Sequence, residues 1–454
     1  MPKSIPSRSP WIEQLERDRA PHPLDADVTT DVAIVGAGIA GVATAFFVLR
    51  DTNKSVLLIE RGRVGHGATG HNAGQLATYF ERPLRDLVDE YGFDMAIAAQ
   101  RAIDDTWDLL DQMVNDCNVR ARIDRFIGHM GMFTLNHIEV HLHHSLLRQR
   151  GGLRVPDVIV SEDAPYLSEI PAEYANLYSV VPAARVREVL GTTDDRYNSV
   201  MSDHKGCGNS ALLIEQVLEH LEVTFADRFR FVDHTDVSRI VLDRANATIF
   251  AGEHQVKART VVMCTNGFVD HVIENRSGGE IEATMHHRVA GTVGYMTGYV
   301  ESTTADANAF SYIRNEVIGE STPYVYLTRR PYEHPTNPGT LSCMGGPEVI
   351  LNERATYDPD ADFPAAMLTE FDTEILPIVQ SARPAGLAYD YAWHGLMGYN
   401  ESRVRLIGFE PRNPVLMYNL GCNGVGFMPS IYGGFRIARL LFGDQLEPSI
   451  FDPS

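Results

Sequence analysis

Residues 31–60 read DVAIVGAGIAGVATAFFVLRDTNKSVLLIE. A short run rich in β-branched residues, DVAIV, leads into a glycine turn, a longer run with small residues on one side, and a second apolar run, SVLLIE. This is the pattern of strand, helix and strand, and strands joined through a helix lie parallel. At the first junction Gly36, Gly38 and Gly41 form G-x-G-x-x-G, and Glu60 closes the second strand about 20 residues on, the arrangement that holds a dinucleotide. Gly36 permits the tight turn, Gly38 lets backbone reach a pyrophosphate, and Gly41 lets the helix lie close on the sheet. The helix start at Ile39 and Ala40 offers free amides and a partial positive charge to phosphates. Glu60 suits ribose hydroxyls and would repel a 2′-phosphate, which disfavours NADP and leaves NAD or FAD.

The residues after Glu60 separate these two. RGRVGHGATGHNAGQL is small and glycine-rich where a plain NAD domain continues into a helix. A loop of this kind passes back over the cofactor and brings backbone close to a flat ring, so FAD is expected. Val32 to Leu49 is uncharged and long enough to weigh as a membrane span. Its glycines and the adjacent Asp31 fit the strand, turn and helix better, and no membrane span is expected.

The formal net charge of −21 repels polyphosphate and anionic surfaces, which argues against a nucleic-acid partner. With 44% hydrophobic and 22% charged residues, the composition is that of an ordinary globular protein, and 454 residues allow two or three domains. Cys117, Cys207, Cys264, Cys343 and Cys422 stand far apart without a CxxC pair, so neither a disulfide framework nor a zinc ribbon is suggested. No apolar stretch follows the basic residues of the N-terminus, and a cytoplasmic location is expected.

Along the chain, residues 1–30 read as an irregular arm packed on the body. Amphipathic helices are expected between Leu84 and Arg150, and a further helix at ALLIEQVLEHL with Asn209 and Ser210 as caps. A β-meander follows, from FRFVDHTDVSRIVLD to the buried strand VVMC. Residues 285–350 alternate as half-buried antiparallel strands. The tail returns to strand, glycine turn and helix. These readings divide the chain into the arm (1–30), a discontinuous FAD-binding domain (31–95, 190–285 and 390–454) and a substrate-binding domain (96–189 and 286–389).

VAIVGAGIAG, the Glu60 strand end, GATGHNAGQ, VVMCTNG at 261–267, WHGLMGYNESRVRLIG at 393–408 and GCNGVGF at 421–427 together resemble the FAD-dependent D-amino-acid oxidase superfamily. The likeness is to the branch of glycine oxidase, sarcosine oxidase, γ-glutamylputrescine oxidase and dimethylglycine dehydrogenase. The resemblance implies an α/β chain with a Rossmann-type FAD domain and an α+β substrate part built on an antiparallel sheet. It also implies cofactor contacts from Arg61, Ala68, Thr69, His71, Asn72, Ala73 and Gly74, and a backbone contact from Val237 to adenine. Thr265, Asn266 and Gly267 would lie near the ADP half. Gly421, Asn423, Gly424, Val425, Gly426, Phe427 and Met428 would lie at the flavin's pyrimidine side, where relatives commonly have His-Gly-Phe-Lys. His71, in HNAG, is similar to the histidine of a HAAG stretch that bonds covalently to flavin in dimethylglycine and sarcosine dehydrogenases. A covalent link is one expectation for it, and a hydrogen bond to phosphate or backbone is the other.

The implied activity is oxidation of a primary or secondary amine, an amino acid or a polyamine conjugate, by hydride transfer to flavin N5. The imine then hydrolyses, and dioxygen or an electron acceptor reoxidises the flavin. Oxidation of a 2-hydroxy acid and flavin binding without turnover are the alternatives. Candidate catalytic residues are Arg329, Tyr324, Trp393, His394 and Arg403, with Arg330 as a further cation and Tyr295 and Tyr326 as walls; core or rim is the more usual reading of each. His141, His143 and His144, and His286 with His287, lack the spacing of a metal site, and none is expected. GxSxG, P-loop and HExxH patterns are missing.

Overall fold

The protein is described from a computed structural model covering residues 5–15, 19–279, 281, 289–316, 324–333, 338–352, 356–379 and 388–453. Strand Val28–Val35 runs parallel to Val56–Ile59 on one side and to His254–Met263 on the other. Phe229–Val232 extends the parallel set beyond Val56–Ile59, and Leu416–Leu420 extends it beyond the end of His254–Met263. Parallel strands are covered on both faces and read as unbroken apolar runs, as VLLI at 56–59 does. Helices Ile39–Asp51, Ser210–Thr224 and Phe427–Phe442 share one apolar cluster on the first face. Strands Val237–Leu242 and Ala247–Ala251 form an antiparallel extension whose side chains join the cluster on the second face.

A second sheet runs in the order Tyr391–Tyr399, Ala290–Glu301, Gly339–Ile350, Tyr324–Tyr332, Asn308–Ile313, Ile123–Met132, Ser199–Gly208, Asp157–Ser161, Ser179–Val181. Its pairings are antiparallel except where Asn308–Ile313 meets Ile123–Met132 and Asp157–Ser161 meets Ser179–Val181. Gln75 and Leu76 pair with Cys207 and Gly206, which ties the glycine-rich loop of the first unit to this sheet.

Several expectations change in detail. Between Leu84 and Arg150 the helices Leu84–Tyr91, Phe93–Asp104, Thr106–Asp116 and Leu135–Arg150 are interrupted by strand Ile123–Met132. Phe229–Val232 leaves the meander to pair with Val56–Ile59. Ser199–Gly208 and Tyr391–Tyr399, inside segments assigned to the FAD-binding domain, pair within the second sheet. Strands Ile123–Met132 and Ser199–Gly208 are not marked by local periodicity, and for Phe229–Val232 it marks the strand but not its partner, which is chosen by burial across long sequence separations. Asn209 does cap its helix, its Oδ1 accepting from the Leu212 amide at 3.0 Å. The uncharged stretch at Val32–Leu49 is divided between a strand and a helix, and among the described residues no helix is long and apolar enough to cross a membrane.

Candidate functional site

One cleft of about 2540 Å³ runs from the first glycine turn to the second sheet. This exceeds the roughly 300–1,000 Å³ of a pocket for one small ligand, and leaves room for a dinucleotide and a substrate. At its first end Gly36 holds φ +102°, and a Cβ there would lie 2.7 Å from the Cys264 carbonyl. The Gly41 contact is closer still: a Cβ would fall 1.8 Å from the Gly36 carbonyl oxygen, so the helix rests on the turn only because Gly41 has no side chain. Glu60 accepts from the Ala37 amide at 2.8 Å and the Gly62 amide at 2.9 Å. Burial nonetheless pushes its carboxyl above the usual range. The Ile39 amide, the first of the helix, is taken by Thr69 Oγ1 at 2.9 Å. The Ala40 backbone lines the cleft next to it.

The loop from Gly67 to Gly74 forms the middle wall. Its Asn72 side chain folds back on the Thr69 carbonyl, Ser210 Oγ and the Gly74 amide. His71 Nδ1 sits 3.0 Å from the Gly67 carbonyl. A carbonyl can only accept, so Nδ1 carries the proton and Nε2 is the acceptor nitrogen. Burial holds the ring's pKa below the ordinary value and keeps it neutral. Facing this loop, Asn266, at φ +52°, donates to the Leu396 carbonyl and accepts from the Cys422 amide. Gly424, Val425, Gly426 and Phe427 line the cleft at the N-terminus of helix Phe427–Phe442.

Beyond that loop the cleft changes character. Tyr79, Glu81, Tyr324, Tyr326, Glu348, Tyr399 and Arg403 line it. The Tyr324 hydroxyl donates to Glu81 Oε1 at 2.6 Å. The chamber abuts the glycine loop, since a Cβ on Gly424 would lie 2.7 Å from Glu81 Cγ and 3.0 Å from the Tyr399 hydroxyl. Desolvation raises the Glu81 carboxyl, opposed by Tyr324, Lys205 and Arg403. It also lowers the buried Lys205 ammonium to about 8; Lys205 Nζ lies 3.4 Å from Gln75 Oε1. Glu348 still reaches solvent in the cleft, but burial of its carboxyl and the nearby Glu81 push it up to about 7.

The structure gathers most of the residues singled out from sequence and disperses the rest. Gly36, Gly38, Ile39, Ala40, Glu60, Arg61, Ala68, Thr69, His71, Asn72, Ala73, Val237, Thr265, Asn266 and Gly424 to Phe427 line the cleft. Gly41, Gly74, Gly267, Gly421 and Asn423 stand behind its wall, and Met428 is fully buried in the core. Of the catalytic candidates, Tyr324 and Arg403 reach the cleft. Arg329 turns to Glu301 at 3.7 Å, and Arg330 is buried over the Trp11 ring. Trp393 is buried edge-on against Trp11. His394 bonds the Ala361 carbonyl and the Tyr357 hydroxyl, and Tyr295 packs on Phe363. Arg330, Trp393 and His394 are buried and Arg329 and Tyr295 half-buried on a sheet whose side chains sequence alternation cannot orient toward one cavity. Tyr79, Glu81, Lys205, Glu348 and Tyr399 were not singled out from sequence, because they come from four separate segments that share no one motif. His143 Nδ1 meets the Tyr174 hydroxyl at 3.1 Å, and His286 and His287 lie outside the described residues.

The cleft fits an extended dinucleotide on its own evidence. It has a glycine cradle that a Cβ would fill, a helix N-terminus, and a buried Thr265 hydroxyl on its wall without a protein partner. Over residues 31–440 the chain matches the family described as FAD dependent oxidoreductase, DAO. It belongs to that family. The protein is therefore an FAD-dependent oxidoreductase. A stretch of 114 residues is 28% identical to "Probable oxidoreductase OrdL" of Haemophilus influenzae, covering 25% of this chain and 26% of that protein. Over 73 residues it is 36% identical to the gamma-glutamylputrescine oxidoreductase of Escherichia coli, covering 16% and 17%. The alignments thus span about a quarter or less of these curated relatives. In fold, the chain superposes on glycine oxidase from Geobacillus kaustophilus with a TM-score of 0.64 at 14% identity, over 94% of this chain and 98% of that one.

Proposed function

We propose that this DAO-family oxidoreductase oxidises a primary or secondary amine bound in the acid and tyrosine chamber beside the Gly421–Phe427 loop. The observation that carries the reading is Glu81: a half-buried carboxylate of raised proton affinity, bonded to Tyr324 and abutting Gly424. An ammonium entering the chamber is drawn by Glu81 and Glu348. Glu81 takes its proton at the carboxylate, leaving the neutral amine that oxidation requires and a protonated Glu81. Tyr79, Tyr324, Tyr326 and Tyr399 line the space, hold the carbon skeleton and exclude water. FAD, when bound, supplies the acceptor for the substrate hydride. The resulting imine leaves and hydrolyses, and dioxygen or an electron acceptor completes the cycle. Arg403 on the same wall would take a carboxylate if the amine is that of an amino acid.

In the same reading, residues 31–95, 190–285 and 390–454 hold the cofactor. Residues 96–189 and 286–389, joined by strands Ser199–Gly208 and Tyr391–Tyr399, build the rest of the substrate side, into which the first set also sends Tyr79, Glu81, Tyr399 and Arg403. The scattered cysteines fit a reducing cytoplasm. The test is anaerobic bleaching of the flavin by panels of amines, amino acids and 2-hydroxy acids. Amines are expected to bleach it, and bleaching by hydroxy acids alone would replace the reading.

His71, neutral and with Nε2 as its acceptor nitrogen, is the residue we propose for a covalent link to the flavin. On acid precipitation yellow colour is expected to stay with the protein pellet, and a yellow supernatant refutes the bond. Glu348 supplies a pH dependence. Its carboxyl is neutral below about 7 and ionised above, so KM for a cationic amine is expected to fall as pH rises from about 6 to 8. The change should be about two- to fivefold, the scale of a solvent-screened ion pair. A pH series of initial rates on Glu348→Gln should lose that limb.

A further inference from the structure

The family match begins at residue 31, yet the arm before it bonds to both ends of the cleft. At one end Ser9 Oγ donates to the Gly70 carbonyl at 2.5 Å, and Trp11 Nε1 donates to the Asn72 carbonyl at 2.7 Å. These are the two carbonyls that flank His71. The Trp11 ring is fully buried and lies where a Cβ on Gly74 would meet it at 2.7 Å. Asn209, the cap of helix Ser210–Thr224, fixes the Trp11 carbonyl at 3.0 Å, while Ser210 Oγ holds the Thr69 carbonyl from the other side. At the other end the His22 amide donates to Asp233 Oδ1 at 2.6 Å, and the Leu24 amide donates to Thr235 Oγ1 at 2.9 Å. Thr235 in turn donates its amide to the Glu60 carbonyl.

We infer that the N-terminal arm is a clamp of the cofactor site, with Ser9 and Trp11 as positioning residues that set the His71 loop at its working distance from the flavin. Core packing alone would account for a buried indole, but not for two side-chain donors spent on the carbonyls either side of one histidine. Buried donors are placed where an acceptor would otherwise go unpaired. A loop with so many small residues has little side-chain packing of its own to fix it.

The inference rests on the reading of the His71 loop as a flavin contact, and the test separates the two. Ser9→Ala and Trp11→Phe each remove one donor while keeping most of the packing, Ser9→Ala also removing the acceptor of the Trp11 amide; Ile5→Ala removes apolar packing of the arm beside its backbone bridge to Phe363 without touching the loop. FAD affinity, the visible flavin spectrum and the flavin midpoint potential are read on the full-length proteins, alongside thermal melts. Ser9→Ala and Trp11→Phe are each expected to raise the FAD dissociation constant about five- to tenfold, and to shift the spectrum and the potential. Where the flavin is bonded to His71, the fraction retained in the acid pellet should fall instead. Ile5→Ala is expected to lower the melting temperature and leave the flavin properties unchanged. If His71→Ala alters the spectrum but Ser9→Ala and Trp11→Phe do not, the clamp is refuted. If Ile5→Ala reproduces their effect, the arm acts only through stability and the inference also fails. If His71→Ala itself changes nothing, the loop reading falls first.

Discussion

Gly41→Ala is expected to abolish retention of FAD and to cost the apoprotein about 3 kcal/mol or more, at or beyond the upper end of ordinary overpacking. The reason is geometric. The added Cβ would fall 1.8 Å from the Gly36 carbonyl oxygen and 3.3 Å from a Leu58 methyl. The clash is with backbone, which cannot rotate away as a side chain can. Relief requires the helix Ile39–Asp51 to lift from the sheet, and that helix is buried along most of its length between strands and the helix Phe427–Phe442. Lifting it also breaks the Ile39 amide bond to Thr69 Oγ1 and shifts the Ala40 backbone that lines the cleft. The flavin absorbance of the purified variant and its melting temperature with and without added FAD check both parts. A yellow variant of ordinary stability would show that the turn tolerates a side chain, against the contact described.

Glu81→Gln is expected to lower kcat/KM for a cationic amine about 100-fold, or ~2.7 kcal/mol, in the range found when one member of a desolvated charge pair is removed. The substitution keeps the volume and still accepts from Tyr324, but it removes the charge that draws an ammonium and the site that takes its proton. A neutral, weakly basic amine should lose far less. Initial rates with the two substrate types decide the matter, since equal losses with both would mean that Glu81 only supports Tyr324 and Gly424.

The glycine turn and the Glu60 strand end were legible because their geometry depends on backbone, and backbone requirements are written locally. A positive φ, a close helix approach and a carboxylate closing the next strand all fall within residues 36–60, and each restricts the residue that can stand there. Met428 shows the limit of carrying a position over: next to the loop in sequence, it is one step into a helix and turns into the core. Trp393 and His394 show it again on a strand, where packing against Trp11 and Tyr357 takes side chains that the motif had suggested for the cleft.

Taken alone, the sequence determined the parallel strand, helix and strand unit, its glycine turn and the place of Glu60 at the end of the second strand. It did so because turn sterics and the strand and helix periods act over a few residues. Which strands joined the second sheet, and the assembly of Tyr79, Glu81, Lys205, Tyr324, Glu348 and Tyr399 into one chamber, were decided only by the tertiary structure. Those residues are brought together by long-range strand pairing and burial, and the energy of such contacts belongs to pairs of segments that no local pattern describes.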